Sequence, residues 1–248
     1  MFAPSVPVGG LAGLAFLDRT YDRQLELFSR SPQLARDLAA FDERAAGITN
    51  AADLVADTEV LRVVLGAFGL EDQLPKRAFI RKVLEEGTLG RDALANRLSD
   101  QRWREMSRAI GFGDVGGLLG LSSVREDLAE AYRLRQFEEA VGLAEPPLQR
   151  ALAFRREARE IAAADSVDRA GWFRIMGSRE LRAVVEGAFG LPQQFGAQDI
   201  DQQRGELERL ARRLYGEESP AIFADPEVVD DVVRRYLARA QAFSGPAP

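Results

Sequence analysis

The chain has 248 residues and a net charge of −6, and it contains no His and no Cys. Their absence excludes Ser-His-Asp and Cys-His catalysis, zinc sites built on thiolate or imidazole, disulfides and thiol redox chemistry. Acidic and basic residues are interspersed, so no nucleic-acid-binding stripe is predicted. No apolar run approaches the ~18–20 residues that a membrane helix needs, which predicts no membrane insertion.

The N-terminal segment bears on the cellular compartment. Residues 1–18 carry no Lys or Arg, so they lack the positive region with which a secretory signal begins. We therefore expect a cytoplasmic protein. Carboxylate or Lys chemistry and the binding of hard cations through oxygen remain open for such a composition.

The first half of the chain is predicted to be helical, because apolar residues recur at spacings of three and four. A first helix carries apolar residues from Leu14 to Phe28 on one face. Ser31 and Pro32 then have the residue types of an N-cap and a first helical position, and Gly47 is a predicted left-handed stop. Further helices are expected to begin, in order, at Asn50, Asp57, Pro75 and Asp100.

The second half shows the same helical spacing. Ser123 and Glu126 have the spacing of a capping box. A Pro-Pro pair at residues 146–147 breaks the chain before the next helix. Later helices are predicted to begin at Ser178 and Asp225, and a longer one to end at Gly216. No sustained period-two run suggests a strand.

An internal repeat predicts the architecture. The pentapeptide Gly-Ala-Phe-Gly-Leu occurs at residues 66–70 and again at 187–191, an offset of 121 residues (66 to 187). Residues 98–100 and 223–225, each ending in a capping Asp, give a similar offset of 125 (100 to 225). We therefore predict an all-α, internally duplicated helical bundle. Its two pseudo-symmetric halves, residues 1–121 and 122–248, would form one compact unit.

The repeated pentapeptide is interpreted as a helix stop. Gly69 can adopt a positive φ after the last turn, and Leu70 can fold back on the helix in a Schellman-type cap. A phosphate-binding loop is disfavoured, because the glycines follow a helix and no strand precedes them. Phe68 and Phe189, each one residue before the stopping Gly, are predicted to be core anchors.

No catalytic, cofactor-binding or metal-binding residue is predicted. Adjacent acidic residues in a helix point about 100° apart and do not converge, which favours surface charge over paired catalytic carboxylates. The pairs are at residues 42–43, 71–72, 85–86 and 230–231. A basic cluster at Lys76, Arg77, Arg81 and Lys82 indicates either an anionic partner or a solvated face. Residues 199–203 lack the Gly and distal Glu of a calcium loop.

Several segments together resemble a known family. They are residues 53–57, 61–70, 79–88, 95–100 and 181–192. In these segments the sequence is similar to a domain family of unknown function from alphaproteobacteria that is often encoded among flagellar genes, and some of its members carry the label of a flagellar basal-body rod protein. It implies a helical protein linked to motility, and it implies no catalytic or ligand residues.

These observations predict a non-enzymatic protein that binds a protein partner, linked to flagellar assembly or motility, with no cofactor. One alternative is an exported structural subunit of the flagellar rod, located in the flagellum. Another is a protein with a pocket between the halves that binds a small ligand or works as a carboxylate-based enzyme. The sequence leaves the partner and the oligomeric state undetermined.

Overall fold

The computed structural model describes residues 3–244, apart from the side chains of Gln193, Phe243 and Ser244. This range contains 14 α-helices and no strand, which confirms the predicted all-α fold. None of the helices within it is long and apolar enough to cross a membrane.

The first nine helices extend to residue 144. They are α1 Gly10–Ser29, α2 Pro32–Arg44, α3 Ala51–Ala56, α4 Thr58–Ala67, α5 Arg77–Glu86, α6 Leu94–Arg97, α7 Arg102–Ile110, α8 Phe112–Val115 and α9 Ser122–Ala144. The remaining five are α10 Pro146–Ala162, α11 Val167–Gly177, α12 Arg179–Phe189, α13 Ile200–Tyr215 and α14 Pro226–Ser244. Short 3-10 helices lie at Ala45–Gly47, Glu71–Gln73, Gln193–Ala197 and Pro220–Ala224.

Contacts divide the chain into two compact units, and the division differs from the predicted one. Among the described residues, unit 1 comprises residues 3–4 and 22–140, and unit 2 comprises residues 5–21 and 141–244. The predicted boundary at residue 121 falls just before α9. Most of α9 belongs to unit 1, because Leu128 and Tyr132 are buried in the core of that unit.

Side-chain caps form where the sequence predicts them. Asn50 accepts a hydrogen bond from the Asp53 amide at the start of α3. At the start of α4, Asp57 accepts from two amides of the first turn. Ser178 accepts from the Leu181 amide at the start of α12. Since short polar side chains before a helix satisfy otherwise unpaired amides, residue type alone located these three helix starts.

Ser31 is the N-cap of α2 and Pro32 its first residue, as predicted, although the Ser31 side chain caps no amide. Three other predicted helix ends differ from the structure. Gly47 ends a 3-10 helix that continues from α2, so it is not a left-handed stop. The helix expected from Pro75 begins at Arg77. Helix α9 begins at Ser122, which places Ser123 inside the helix rather than at its cap.

Aromatic residues form the centre of the core in each unit. In unit 1, Trp103 is 5% exposed and packs edge-on against Phe79, with ring centroids 5.0 Å apart. In unit 2, Trp172 lies edge-on to both Phe189 and Phe223, and its indole nitrogen donates a hydrogen bond to a main-chain carbonyl. Both tryptophans are therefore structural, since edge-to-face ring pairs and buried aromatic area stabilise a core.

The two predicted phenylalanine anchors differ in burial. Phe189 is 6% exposed and contacts the rings of Trp172 and Tyr215. Phe68 is only partly buried at the edge of the unit 1 core. We expect Phe189→Ala to cost about 3–5 kcal/mol of unfolding free energy and Phe68→Ala clearly less, because a partly exposed ring loses less burial. Urea denaturation measures both costs. Equal costs in the two variants would contradict this assignment.

Candidate functional site

Helices α4 and α12 end in the same hydrogen-bond pattern. Gly69 and Gly190 have φ of 67° and 74°, as the pentapeptide predicts. In α4 the amides of Gly69 and Leu70 donate to the carbonyls of Gly66 and Leu65. In α12 the amides of residues 190 and 191 donate to the carbonyls of residues 187 and 186. This pair of backbone hydrogen bonds is the Schellman motif, so both copies of the pentapeptide end a helix.

The first glycine of each pentapeptide lies under a tyrosine ring. A Cβ atom added to Gly66 would lie 2.5 Å from Cδ2 and Cε2 of Tyr132, which belongs to α9. A Cβ atom added to Gly187 would lie 2.7 Å from Cδ2 of Tyr236, which belongs to α14. Neither position has room for a side chain. The glycines therefore allow α4 to approach α9, and α12 to approach α14, at close range.

An arginine three residues after each tyrosine satisfies the carbonyls at the helix end. Nε of Arg135 donates to the Ala67 carbonyl at 2.9 Å. Nη1 of Arg239 donates to the Gly187 and Ala188 carbonyls at 2.6 and 2.9 Å. A cation at a helix C-terminus also interacts favourably with the helix dipole. Each helix end is thus contacted by one Tyr and one Arg from the same neighbouring helix, and in unit 1 Arg102 of α7 also donates to the Gly69 carbonyl.

The Tyr-x-x-Arg pair was not predicted, although its signal is present in the sequence. Of the four tyrosines, only Tyr132 and Tyr236 have Arg three residues later. Their offset is 104 residues (132 to 236), not 121, so an ungapped comparison does not align them. The second sequence match, of residues 98–100 with residues 223–225, precedes helices that pack on different neighbours. Asp100 precedes α7, which packs on α5, α6 and α8, whereas Asp225 precedes α14, which packs on α12 and α10.

In unit 1, two further side chains cover the glycine. Oε2 of Glu71 lies 3.4 Å from the position of a Cβ atom at Gly66. Nε2 of Gln136 donates to the same oxygen at 2.7 Å. Burial raises the pKa of the Glu71 carboxyl, and the Gln136 hydrogen bond and the Arg62 charge oppose that rise. The space above this helix end is thus filled by the chain itself.

A buried carboxylate network supports the filled site. Asp37 on α2 is 3% exposed and accepts hydrogen bonds from Nη1 of Arg62 at 3.1 Å and from the Tyr132 hydroxyl at 3.0 Å. Nε2 of Gln33 donates to it at 2.9 Å. Burial, with the nearby Glu71 and Asp37 charges, raises the pKa of Tyr132 far above its usual value. Tyr132 therefore stays protonated and donates to Asp37.

In unit 2, the corresponding place is an open pocket. The residue after the pentapeptide is Pro192 instead of Glu71, and the residue after the arginine is Ala240 instead of Gln136. Apart from the two chain neighbours of Gly187 and the nearby backbone of its own helix, the three heavy atoms of the described residues nearest to its Cβ position all belong to the Tyr236 ring. The pocket has a volume of about 320 Å³ and is lined by Glu186, Gly187, Gly190, Leu191, Tyr236, Arg239 and Ala240. It is large enough for one side chain or a small ligand.

Two charged side chains line this pocket, and they differ in pairing. Glu186 forms an ion pair with Arg182, with 2.7 Å between Oε1 and Nε. Arg239 donates only to main-chain carbonyls, and no carboxylate within the described part of the chain pairs with it. One positive charge is therefore left unbalanced at the pocket wall.

The charged residues weighed in the sequence have structural partners elsewhere. Arg77 donates to the Val55 carbonyl and the Thr58 hydroxyl, and it ties α5 to the junction of α3 and α4. Arg81 pairs with Glu85 at 2.6 Å, so the basic cluster is partly neutralised. Asp199 caps α13. Within residues 3–244 no group of carboxylates is arranged to hold a metal ion.

Comparison with known proteins places the chain in a family. The profile described as "Protein of unknown function (DUF1217)" matches residues 67–229, about two thirds of the sequence. The chain belongs to the DUF1217 family. No curated protein matches this DUF1217 chain in sequence.

One solved structure is similar to this DUF1217 protein over nearly its whole length. It is the crystal structure of a structural genomics target from Agrobacterium tumefaciens, with a TM-score of 0.80 and 24% sequence identity. The match covers 98% of this chain and 100% of the other. At this identity the likeness shows that the two share a fold.

Alanine substitution of two glycines inside helices tests whether the Tyr236 ring packs closely on Gly187. We expect Gly187→Ala to destabilise the protein by about 1–3 kcal/mol, because its methyl group would overlap the Tyr236 ring. Gly205→Ala in α13 is the matched control. Nothing lies within 4 Å of its Cβ position, so it should stabilise by up to about 1 kcal/mol. Thermal and urea unfolding measure the stability of both variants. Destabilisation of the same size in both would contradict the close packing of Tyr236 on Gly187.

The buried tyrosine predicts an alkaline loss of stability. The folded-state pKa of Tyr132 is raised above its unfolded value, so its contribution is intact below about pH 10 and falls as the pH rises beyond it. We expect Tyr132→Phe to lose about 1 kcal/mol at neutral pH with the Asp37 hydrogen bond. Above pH 10 its stability should decline less steeply than that of the native chain. Parallel declines, measured by urea unfolding from pH 8 to 11, would argue against a buried neutral phenol.

Proposed function

We propose that this DUF1217 protein works by binding another protein rather than by catalysis, and that its role is in flagellar assembly or motility. The pocket at the end of α12, which we name the α12 pocket, is the proposed contact site. Its lining residues are those given above.

The comparison of the two helix ends carries the protein-binding part of the proposal. Both ends have the same Schellman bonds, the same Tyr over Gly contact and the same Arg on the terminal carbonyls. In unit 1 the space above the glycine holds the side chains of Glu71 and Gln136. A site of this shape accommodates polypeptide side chains. In unit 2 the residues that would supply them are Pro192 and Ala240, so a segment of a partner could occupy the space.

The flagellar part of the proposal has a different support. It rests on the resemblance of the quoted segments to a family that is often encoded among flagellar genes, and it is an inference by association. It assigns no partner. The proposed location is the cytoplasm, where an assembly factor would act before or during export, and the rod itself is the alternative location.

Complementation of a deletion strain tests this function. We expect the deletion to reduce swimming and the native gene to restore it. Ala240→Trp should fail to restore it, because the indole would fill the α12 pocket. Ala238→Trp, on the exposed side of the same helix, is the matched control and should restore swimming. Cellular levels and melting temperatures of both variants need to match the native protein.

Two outcomes would contradict the proposal. Normal flagellation and swimming of the deletion strain would remove the flagellar role. Equal restoration by the Trp variants at residues 240 and 238 would remove the α12 pocket as the contact site. Fractionation of cytoplasm, basal bodies and culture medium distinguishes an assembly factor from an exported rod subunit.

A further inference from the structure

We propose that the α12 pocket recognises a glutamate side chain of the partner protein. This inference rests on the proposed function and adds the chemistry of the contact. It follows from what occupies the equivalent space in unit 1 and from the charges that line the pocket in unit 2.

The occupant in unit 1 is a carboxylate. The Glu71 side chain reaches back over α4, and its Oε2 comes within 3.4 Å of the Cβ position at Gly66. It arrives from the 3-10 helix Glu71–Gln73, which begins directly after the pentapeptide. A glutamate presented by a short turn therefore fits the surface formed by the glycine, the tyrosine ring and the helix end.

The charge of the α12 pocket favours the same group. The nearest negative charge is Glu186, which would repel a carboxylate if it were unpaired. Arg182 pairs with Glu186 at 2.7 Å and offsets that charge. Arg239 then leaves the wall with a net positive charge, because its hydrogen bonds in the described residues go to neutral carbonyls. A carboxylate beside this guanidinium would form a charge-assisted hydrogen bond.

The segment of unit 1 that contains Glu71 also provides a peptide for a binding measurement. A fluorescein-labelled peptide with the sequence of residues 68–77 presents Glu71 in its native sequence context. Its matched forms carry Gln or Lys in place of this Glu. We expect the Glu peptide to bind the full-length chain about fivefold more tightly than the Gln peptide, the size of a partly exposed ion pair. Amide signals of Gly187, Gly190 and Ala240 should shift in NMR spectra.

Variants of the chain locate the binding and its charge dependence. Ala240→Trp should abolish peptide binding, and Ala238→Trp should leave it unchanged. Arg239→Gln keeps an amide that can donate to the helix carbonyls but removes the positive charge. The Glu and Gln peptides should then bind with about equal affinity, as expected when an ion pair is lost.

Each opposing result overturns the inference in a defined way. Equal binding of the Glu and Gln peptides would show that the pocket does not distinguish a carboxylate from a neutral amide. A Lys peptide that binds as tightly as the Glu peptide would make Glu186 the recognised group instead. Absence of all binding up to millimolar peptide would mean that no glutamate segment fits. In each case the complementation test with Ala240→Trp still stands, so the failure of this inference is distinct from failure of the proposed function.

Discussion

The approach of a tyrosine ring to a glycine that has no room for a Cβ atom is the contact on which both helix ends depend. Tyr132 covers Gly66, and Tyr236 covers Gly187, at distances that leave no room for a Cβ atom at the glycine unless the ring shifts. The close approach lets an arginine one turn further along reach the terminal carbonyls of the covered helix. Ring packing, helix termination and carbonyl capping are therefore coupled, and loss of the glycine would disturb all three.

A small change in sequence on this shared arrangement separates a filled site from an open one. In unit 1, Glu71 and Gln136 bond to each other over the glycine, and the buried carboxylate of Asp37 holds the tyrosine hydroxyl. In unit 2, Pro192 and Ala240 bring neither group, and a pocket of about 320 Å³ remains. The Schellman bonds and the Tyr and Arg contacts are alike at the two helix ends, whereas the charged and polar side chains above the glycine differ. A binding role can thus arise beside a purely structural one without a change of fold.

The sequence predicted features that depend on neighbouring residues and missed those that depend on distant ones. Asn50, Asp57 and Ser178 cap helices as their residue types indicate, and positive φ at Gly69 and Gly190 follows from the pentapeptide. Helix α9, which begins just after the predicted boundary at residue 121, lies mostly in unit 1 because it packs with the preceding helices. The α12 pocket was missed because it depends on α12 meeting α14, about 50 residues later (187 to 236), and offsets of 121 and 104 do not align in one ungapped comparison.

The central claim is that the α12 pocket receives a side chain from another protein. The most direct measurement is site-specific photo-crosslinking in motile cells, with a photoreactive phenylalanine at residue 240 and, as control, at residue 238. The account predicts a discrete crosslink from residue 240 only, mapped by mass spectrometry to a partner segment that contains glutamate. Crosslinks of equal yield from both positions, or a crosslink that maps to a segment without an acidic residue, would contradict it.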